Sequence, residues 1–491
     1  MSRFFRQLPF FLLLLPLYFI VNGYIRFYGS VPVWDAFFLL MIYLLATGIV
    51  CALCWIYFRD IIRSAVMTVV MMSYYLFFGA GLDAWDYLFH GTFLNRYSVI
   101  LSISVFVFFL LFRFFKKTRL TLQRVVVFLN LFFCLLLVID GIRLGRILLS
   151  KGHSAHSRIE HAGFVKCDSC SRPDIYLVLL DEYSGNKVLQ DQFGIDNSPF
   201  TDSLMRAGFV VTPESRSNYN YTPYSIASIL GMDYLDLDMK TKNRGNLNRA
   251  YQGIRESVAP AWLRENGYQF YNYSIFDFPG YPARGHDGFI PYSTKLITAQ
   301  TLWGRLEEVI AFEKIYGRLQ TERSRRRQLY QTRENNELFM GATLQTLHEN
   351  DSVPKFVYTH LMMPHYPYYY DSLGKPLPED RIQKGKETDK AAYAGYLKYC
   401  NGRILSLVHE LQSASATPPV IILLGDHGFR HYDPPATESA YFQNLQAVFI
   451  PGTKLNVYPG MSNVNLFRQF FNQQFKQRLP LQKDSTVYLW R

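Results

Sequence analysis

Hydrophobic residues are distributed unevenly along this chain of 491 residues. Phe, Leu, Ile, Val and Tyr crowd residues 1–145, whereas the remainder mixes apolar and polar positions as a soluble protein does. Five apolar segments have about the 20 residues that a helix needs to cross a bilayer: Leu8–Tyr24, Val33–Phe58, Ile62–Leu82, Val99–Phe115 and Val125–Ile142. The pattern therefore predicts a transmembrane helical domain over residues 1–145, a juxtamembrane linker over 146–173 and a globular domain over 174–491.

Basic residues between the apolar segments predict the orientation. They gather before the first segment, between the second and third, and between the fourth and fifth: Arg3, Arg6, Arg59, Arg63, Arg113, Lys116, Lys117, Arg119 and Arg124. Because basic loops stay in the cytoplasm, the N-terminus is expected there and five spans place the globular domain outside. A count wrong by one span would put that domain in the cytoplasm instead.

The globular part alternates short apolar runs with helical patterns. Strands are predicted within Asp174–Asp181, Gly267–Phe276, Lys355–Met363, Pro418–Gly428 and Asn444–Gly452. Near-continuous apolar strands between helices indicate a mostly parallel sheet covered by helices on both faces, an α/β fold.

Three of these strands end in polar clusters. Asp181 and Glu182 follow the first, His365 comes shortly after the third, and Asp426 with His427 follow the fourth. Since ligands bind at the carboxyl ends of strands in open α/β sheets, the three clusters are expected to share one site.

Carboxylate and imidazole ligands suit one Zn²⁺ or Mn²⁺ ion. Asp181, Asp426 and His427 supply three of them, and the Thr222 hydroxyl would complete a tetrahedral set. Thr222 precedes Pro223, so a helix is expected to begin at Pro223 with Thr222 as its N-cap. A cation would lower the pKa of the hydroxyl and make it a nucleophile, and the helix N-terminus favours a phosphoryl anion beside it.

Four stretches of the chain, in order, resemble the alkaline-phosphatase-like superfamily: IYLVLLDEYSG, NYTPYSIASIL, HLMMPHYP and LLGDHGFR. The resemblance is to its membrane-anchored sulfatase-like branch, which includes lipoteichoic acid synthases and phosphoethanolamine transferases. These proteins have about five spans and an exterior catalytic domain, which implies a bacterial cytoplasmic (inner) membrane location with the domain on the periplasmic or extracellular side.

The resemblance also assigns roles to individual residues. Asp181, Asp426 and His427 match the metal ligands, Thr222 matches the nucleophile, and His365 matches a histidine that contacts the substrate or leaving group. Two further histidines, His360 and His431, are weaker matches that could equally be structural. The amides of two asparagines beside the nucleophile could donate to phosphate oxygens or could simply form turns: Asn218 and Asn220.

Two departures from the wider superfamily narrow the chemistry. Sulfatases form formylglycine from the Cys or Ser of a C/S-x-P-x-R motif, whereas this chain has Thr222-Pro223-Tyr224 with no arginine nearby. No complete second set of metal ligands can be assigned. One divalent ion and a phospho-threonine intermediate are therefore expected.

The expected function is transfer of a phosphoglycerol or phosphoethanolamine group from a membrane phospholipid to an envelope glycan or lipid. A phosphate or sulfate ester hydrolase and a catalytically inactive envelope assembly component are the alternatives. Nucleic acid is excluded as a partner for an exterior domain, despite a net charge of +12.

Two smaller features carry open alternatives. A basic run, Arg323-Ser-Arg325-Arg326-Arg327, lies on a predicted helix and is either a solvated face or a contact for anionic lipid or glycan. Cys167 and Cys170 form a CxxC pair in the linker, which in an oxidising compartment is either a local disulfide or two free thiols.

Overall fold

The computed structural model describes residues 8–28, 31–89, 92–118, 121–149, 163–167, 169–237, 244–284, 294–307, 322–349, 352–414 and 417–489. Two compact units divide the chain. Met1–Lys151 and Asp287–Thr321 form a helical unit, and Gly152–His286 with Glu322–Arg491 form an α/β unit. The predicted boundaries differ in one respect, because the segment 287–321 groups with the helical unit although it was expected within the globular domain.

The helical unit begins with five apolar helices: α1 (Phe11–Arg26), α2 (Val33–Phe58), α3 (Ile61–Phe89), α4 (Tyr97–Lys117) and α5 (Gln123–Leu149). Four of them, α2 to α5, are long and apolar enough to cross a membrane, and α1 is a shorter apolar helix. A helix rises 1.5 Å per residue, so α1 is about 24 Å long, a little less than the hydrocarbon core. The predicted helical region of about five helices is confirmed.

Two short helices from the later segment pack within this unit, α11 (Lys295–Thr298) and α12 (Leu302–Glu307). Helix α3 loses helical geometry at Phe77, and the amide of Gly79 donates a hydrogen bond of 2.8 Å to the carbonyl of Gln300. Arg305, which is almost fully buried, pairs with Asp83 on α3 at 3.0 Å. Where α3 departs from helical geometry, a backbone amide thus bonds to a carbonyl more than two hundred positions later in the chain.

The α/β unit contributes the remaining helices. They are α6 (Asn186–Phe193), α7 (Ser198–Arg206), α8 (Thr222–Gly231), α9 (Arg244–Arg255), α10 (Val258–Glu265), α13 (Glu322–Gln345), α14 (Glu379–Lys384), α15 (Lys390–Ser413) and α16 (Asn463–Phe475).

Six strands form one sheet: β1 (Ile175–Leu180), β2 (Val210–Val211), β3 (Gln269–Tyr273), β4 (Lys355–Leu361), β5 (Val420–Gly425) and β6 (Gln446–Phe449). Their order is β2-β6-β5-β1-β4-β3. The pairs β5–β1, β1–β4 and β4–β3 are parallel, whereas β6 and β2 pair antiparallel at one edge. The predicted mostly parallel sheet is confirmed, and the two-residue edge strand β2 is an addition that the sequence did not indicate.

Strand β1 shows why its sequence is apolar throughout. Tyr176, Val178 and Leu180 face a core that includes residues of α6, α7, α13 and α15. The alternate residues, Ile175, Leu177 and Leu179, face a second core with α8, α9, α10 and α16. Because successive side chains of a strand point to opposite faces, a strand with helices on both sides must be apolar at every position.

Two predictions about the α/β unit have mixed outcomes. Cys167 and Cys170 form a disulfide, which decides between the two alternatives for the CxxC pair. The basic run lies on α13 as expected, and Arg326 pairs with Glu379 at 2.9 Å. The side chains of Arg323, Arg325 and Arg327 lie outside the described part of the chain, so the lipid or glycan contact stays a prediction.

Candidate active site

Three parallel strands end side by side and bring the predicted polar clusters together. Leu180 at the end of β1 is paired in register with Leu361 of β4 and Gly425 of β5. The ladder continues one residue further, since the Asp181 amide donates to the Leu361 carbonyl at 3.0 Å and the Asp426 amide donates to the Leu180 carbonyl at 3.2 Å. The two aspartates are therefore fixed next to each other by backbone pairing alone.

Asp181, Asp426 and His427 form one compact group of ligating atoms. One atom from each lies within 4.8 Å of the others, and all three side chains are buried. Oδ1 of Asp426 accepts hydrogen bonds from the amides of His427 at 2.7 Å and Glu182 at 3.0 Å. Oδ2 of Asp426 and Oδ1 of Asp181 are buried and have no hydrogen-bond partner among the residues that the structure describes.

The tautomer of His427 follows from its surroundings. Nδ1 lies 2.8 Å from the carbonyl of Gly428, and a carbonyl only accepts, so Nδ1 carries the proton. Burial lowers the pKa of His427, which keeps the ring neutral. Nε2 is thus left with a lone pair and lies 3.2 Å from Oδ2 of Asp426.

This arrangement of lone pairs fits a divalent cation. Burial, together with the charges of Asp426 and Glu182, raises the pKa of Asp181, which shows how unfavourable the uncompensated carboxylates are. Ligands of a tetrahedral zinc ion about 2 Å from the metal lie about 3.3 Å apart. The 3.2 Å between Asp426 and His427 matches that spacing. The donor set and its unpartnered oxygens therefore suit a bound divalent metal.

Thr222 lies beside His427 of this group. It is the first residue of α8, and the preceding Tyr221 has the extended N-cap conformation without a side-chain cap. The expectation that Thr222 itself caps a helix beginning at Pro223 is wrong by one residue. Its Oγ1 instead lies 3.2 Å from Nε2 of His427, and the hydroxyl of Ser225 donates to the carbonyl of Asp426, which ties α8 to the end of β5.

His360 lies behind the acidic pair on β4. Its ring is buried and stacks parallel to Phe276, with centroids 5.6 Å apart. Nε2 is 3.7 Å from Oδ2 of Asp181, and in the described part of the chain neither ring nitrogen has a hydrogen-bond partner. Burial lowers the pKa of His360 to about 4, so the ring is neutral near pH 7. This placement makes His360 a neighbour of the Asp181 carboxylate.

A second cluster contains Glu182, His365 and His431, whose ligating atoms lie within 4.8 Å of one another. Glu182 has a positive φ of 61° and a fully buried carboxylate, two costs that functional sites tend to carry. Oε1 is 3.0 Å from Nε of Arg430 and 3.1 Å from Nε2 of His431. Burial alone would raise the pKa of Glu182, but His365, His431 and Arg430 outweigh it and lower the pKa.

The Glu182 cluster extends to a second carboxylate. Nδ1 of His431 lies 2.8 Å from Oε2 of Glu387. Burial opposes protonation of His431, but hydrogen bonds to both glutamates raise its pKa. His365 directs Nδ1 to the carbonyl of Tyr366, which makes that nitrogen the donor and leaves Nε2 with the exchangeable position.

A family model identifies the α/β unit. The model described as Sulfatase matches residues 173–488, which is more than half of the chain. The chain belongs to the sulfatase family. This agrees with the resemblance seen in the sequence and makes the chain a sulfatase-like enzyme of the phosphotransferase and hydrolase kind. A comparison with curated proteins finds no match.

Solved structures similar to this sulfatase-family chain include two phosphoethanolamine transferase domains. The C-terminal periplasmic domain of EptC from Escherichia coli is 12% identical, with 63% of this chain and 84% of that chain covered and a TM-score of 0.37. The corresponding domain of EptC from Campylobacter jejuni is 13% identical, with coverages of 64% and 94% and a TM-score of 0.34. The phosphonate monoester hydrolase SpPMH from Silicibacter pomeroyi is 14% identical, with coverages of 64% and 75% and a TM-score of 0.37. At these values the similarities carry no argument of their own.

Two residues proposed to bind substrate have other contacts in this sulfatase-family site. Asn218 donates to the Tyr234 hydroxyl at 2.7 Å and the Ser485 carbonyl at 3.2 Å, and it accepts from the Val464 amide at 3.1 Å. Asn220 exchanges hydrogen bonds with the backbone of Leu489. These contacts give both amides a structural role in holding the C-terminal segment, while binding of substrate by either amide stays an untested prediction.

Sequence reasoning missed Arg430 and the carboxylate role of Glu182. Glu182 directly follows Asp181, and Arg430 comes three residues after His427. A charged residue so close to a predicted ligand is a signal that could have identified both as site residues. The guanidinium of Arg430 also lies over the ring of Tyr221, 4.7 Å from its centroid. The contacts of Arg430 with Tyr221 and Glu182 join residues far apart in the chain, so the local sequence does not predict them.

Proposed function

We propose that this chain is a metal-dependent transferase that moves a phosphoglycerol or phosphoethanolamine group from a membrane phospholipid to an envelope glycan or lipid. The group is carried as a phosphate ester of Thr222. The protein works at a bacterial cytoplasmic membrane, with the α/β unit on the exterior side. A sulfatase-family domain and long apolar helices in one chain support this proposal, because donor and enzyme would then share a bilayer.

One observation carries the proposal: the Thr222 hydroxyl lies at the first turn of α8 and 3.2 Å from Nε2 of His427. The free amides and dipole of a helix N-terminus attract a phosphoryl anion to the place where this hydroxyl lies. Threonine at this position also cannot be converted to formylglycine, which argues against the sulfatase reaction for this member of the family.

Asp181, Asp426 and His427 would hold one Zn²⁺ or Mn²⁺ ion, with Thr222 as the fourth ligand. A bound ion of this charge lowers the pKa of a coordinated hydroxyl and offsets charge on a phosphoryl group. The chain itself contributes the nucleophile and its fixed position on α8. It also contributes the carboxylates of Asp181 and Asp426, which are buried away from bulk water.

The transfer then takes two displacements. In the first, Oγ1 of Thr222 forms a bond to phosphorus, the bond from phosphorus to the lipid alcohol breaks, and that alcohol leaves with a proton. In the second, the hydroxyl of the acceptor attacks the phospho-threonine, loses its proton and regenerates Thr222. His365 belongs to the Glu182 cluster, and since its Nδ1 is bonded to the Tyr366 carbonyl, its Nε2 is the nitrogen that would give and take these protons.

An ester hydrolase of the same family would use the same first displacement, with water in place of the acceptor hydroxyl in the second. Acceptor dependence separates the two. Turnover of a phosphodiester to water at a high rate, unaffected by added glycan or lipid acceptor, would favour the hydrolase.

The direct test is the intact mass of the full chain, purified in detergent with Zn²⁺ or Mn²⁺ and incubated with phosphatidylglycerol or phosphatidylethanolamine. We expect a phospho-alcohol adduct on Thr222, its absence in Thr222→Ala, and its retention in Thr222→Ser. An adduct on another residue, or none in the metal-loaded parent at any incubation time, would contradict the proposal.

A further inference from the structure

We propose that Arg430 is the residue that holds the phosphoryl group of the donor, through its two terminal guanidinium nitrogens. The ligand is a tetrahedral phosphoryl oxyanion, and the inference rests on the proposed function of the same site. Three independent features of Arg430 carry it: a fixed guanidinium, an orientation set beside Thr222, and terminal nitrogens left for a ligand.

The guanidinium is fixed at one edge by a buried anion. Nε of Arg430 donates to Oε1 of Glu182 at 3.0 Å, and the Glu182 side chain is fully buried. Glu182 has a left-handed backbone, with φ of 61°, between the metal-site residue Asp181 and Tyr183. A strained residue that carries a buried charge needs a strong compensating role, and anchoring a cation beside the metal group provides one.

The face of the guanidinium is fixed as well. It lies over the ring of Tyr221, 4.7 Å from the centroid, and Tyr221 directly precedes Thr222. Stacking on an aromatic face and a hydrogen bond at Nε together leave little freedom to the planar fork. Tyr221, the N-cap residue of the nucleophile's helix, therefore orients the arginine.

The outer edge of the fork remains for a ligand. Within the described part of the chain, Nη1 and Nη2 of Arg430 have no protein hydrogen bond, and 17% of the side chain is exposed. The charges of Asp181 and Asp426 are among those that raise the pKa of Arg430, so the guanidinium is within electrostatic range of both carboxylates. Arginine with two free parallel N–H groups matches the oxygens of a phosphoryl group.

Charge balance gives a further reason for such a residue. The carboxylates of Asp181 and Asp426 cancel the charge of a divalent ion, so the metal group by itself offers little net attraction to an anion. His431 is shared between Glu182 and Glu387. Within the described residues, Arg430 gives only its Nε to Glu182 and lies over Tyr221, the residue before Thr222, so its positive charge is available to a phosphoryl group.

The test measures phosphate affinity of the full chain, purified in detergent and loaded with Zn²⁺ or Mn²⁺. Inorganic phosphate is titrated against thermal unfolding, and phosphatidylglycerol in mixed micelles is titrated in a parallel arm. We expect Arg430→Met to weaken both by about 100-fold and Arg430→Lys by about 10-fold, as expected for loss of a charge-assisted bidentate contact. Bound metal, measured by elemental analysis, stays at the parental stoichiometry.

Arg403→Met is the matched control. Arg403 also pairs with a glutamate, Glu337 at 2.8 Å, and lies over a tyrosine ring, Tyr399, but contacts none of the site residues. Its affinity for phosphate is expected to stay within about twofold of the parent. Glu182→Gln, which keeps a neutral acceptor for Nε, is expected to give an intermediate loss because the anchor is weakened.

Phosphate affinity within twofold of the parent in metal-loaded Arg430→Met would overturn the proposal. So would loss for inorganic phosphate without loss for the phospholipid, and so would a metal-loaded parent that binds neither ligand. Failure of the transferase proposal shows itself separately, as a missing adduct on Thr222 in a parent that binds phosphate normally.

Discussion

Oδ2 of Asp426 lies 3.2 Å from Nε2 of His427, and both atoms are acceptors because Nδ1 of His427 carries the ring proton. Two buried acceptors at this distance repel, and no donor among the described residues bonds to Oδ2. A folded chain keeps such an arrangement when a cation binds there. The stability of the α/β unit should therefore depend on metal.

We expect a chelator to lower the unfolding temperature of the purified full chain. A metal present at 100 times its dissociation constant stabilises the folded state by about 2.7 kcal/mol, which chelation removes. The measurement is thermal unfolding with and without EDTA, followed by addition of excess Zn²⁺ or Mn²⁺ to restore the original temperature.

Two variants locate that effect. Asp426→Ala should unfold at the same temperature with or without chelator, because the ligand group is broken. His431→Gln, which alters only the Glu182 cluster, should keep the response of the parent. An unfolding temperature of the parent that is independent of chelator and of added metal would refute the assignment of Asp181, Asp426 and His427 as ligands.

Asn218→Ala distinguishes a structural amide from a substrate-binding one. The change removes three hydrogen bonds and leaves the buried Val464 amide without its acceptor. We expect a loss of about 3 kcal/mol, seen as an unfolding temperature several degrees lower. The KM for a phosphodiester substrate should stay at the parental value at a temperature where the variant is folded. A raised KM with unchanged unfolding temperature would instead support the substrate-binding role.

Asp277 should give the α/β unit a distinctive pH dependence. Burial raises its pKa to about 6, against the opposing hydrogen bond from the Ala283 amide and the charge of Arg255. The folded state therefore binds a proton more tightly than the unfolded state between about pH 4 and 6. Stability from this group is present below the unfolded pKa and is lost as pH rises through about 6.

Asp277→Asn keeps the acceptor for Ala283 and removes the charge. It should raise the unfolding temperature at pH 7.5, by the equivalent of about 2 kcal/mol, and leave it unchanged near pH 4. Asp196→Asn is a control of opposite sign, because hydrogen bonds from Ser198 lower the pKa of the exposed Asp196. A gain for Asp277→Asn that is equal at both pH values would show that titration is not its cause.

The sequence alone predicted every strand of the sheet except β2, and it predicted that three of the proposed metal ligands would lie together. A strand buried on both faces must be apolar throughout, so β1, β4 and β5 stand out in the sequence, and parallel strands end at one edge. The residues that follow them, Asp181, Asp426 and His427, were therefore expected to meet, and the structure brings them together. The long apolar helices could also be predicted from the sequence, because a helix that crosses a bilayer needs about 20 mostly apolar residues.

Only the tertiary structure decided which partner each polar side chain takes. Thr222 could have capped its own helix, yet its hydroxyl lies beside His427. Asn218 and Asn220 form hydrogen bonds to the C-terminal segment, which their positions in the sequence did not indicate. The pairing of Glu182 with Arg430, and of the Gly79 amide with Gln300, joins residues more than two hundred positions apart. The composition of an apolar run is enough to predict that the run is buried. A hydrogen bond between distant residues depends instead on how the rest of the chain folds.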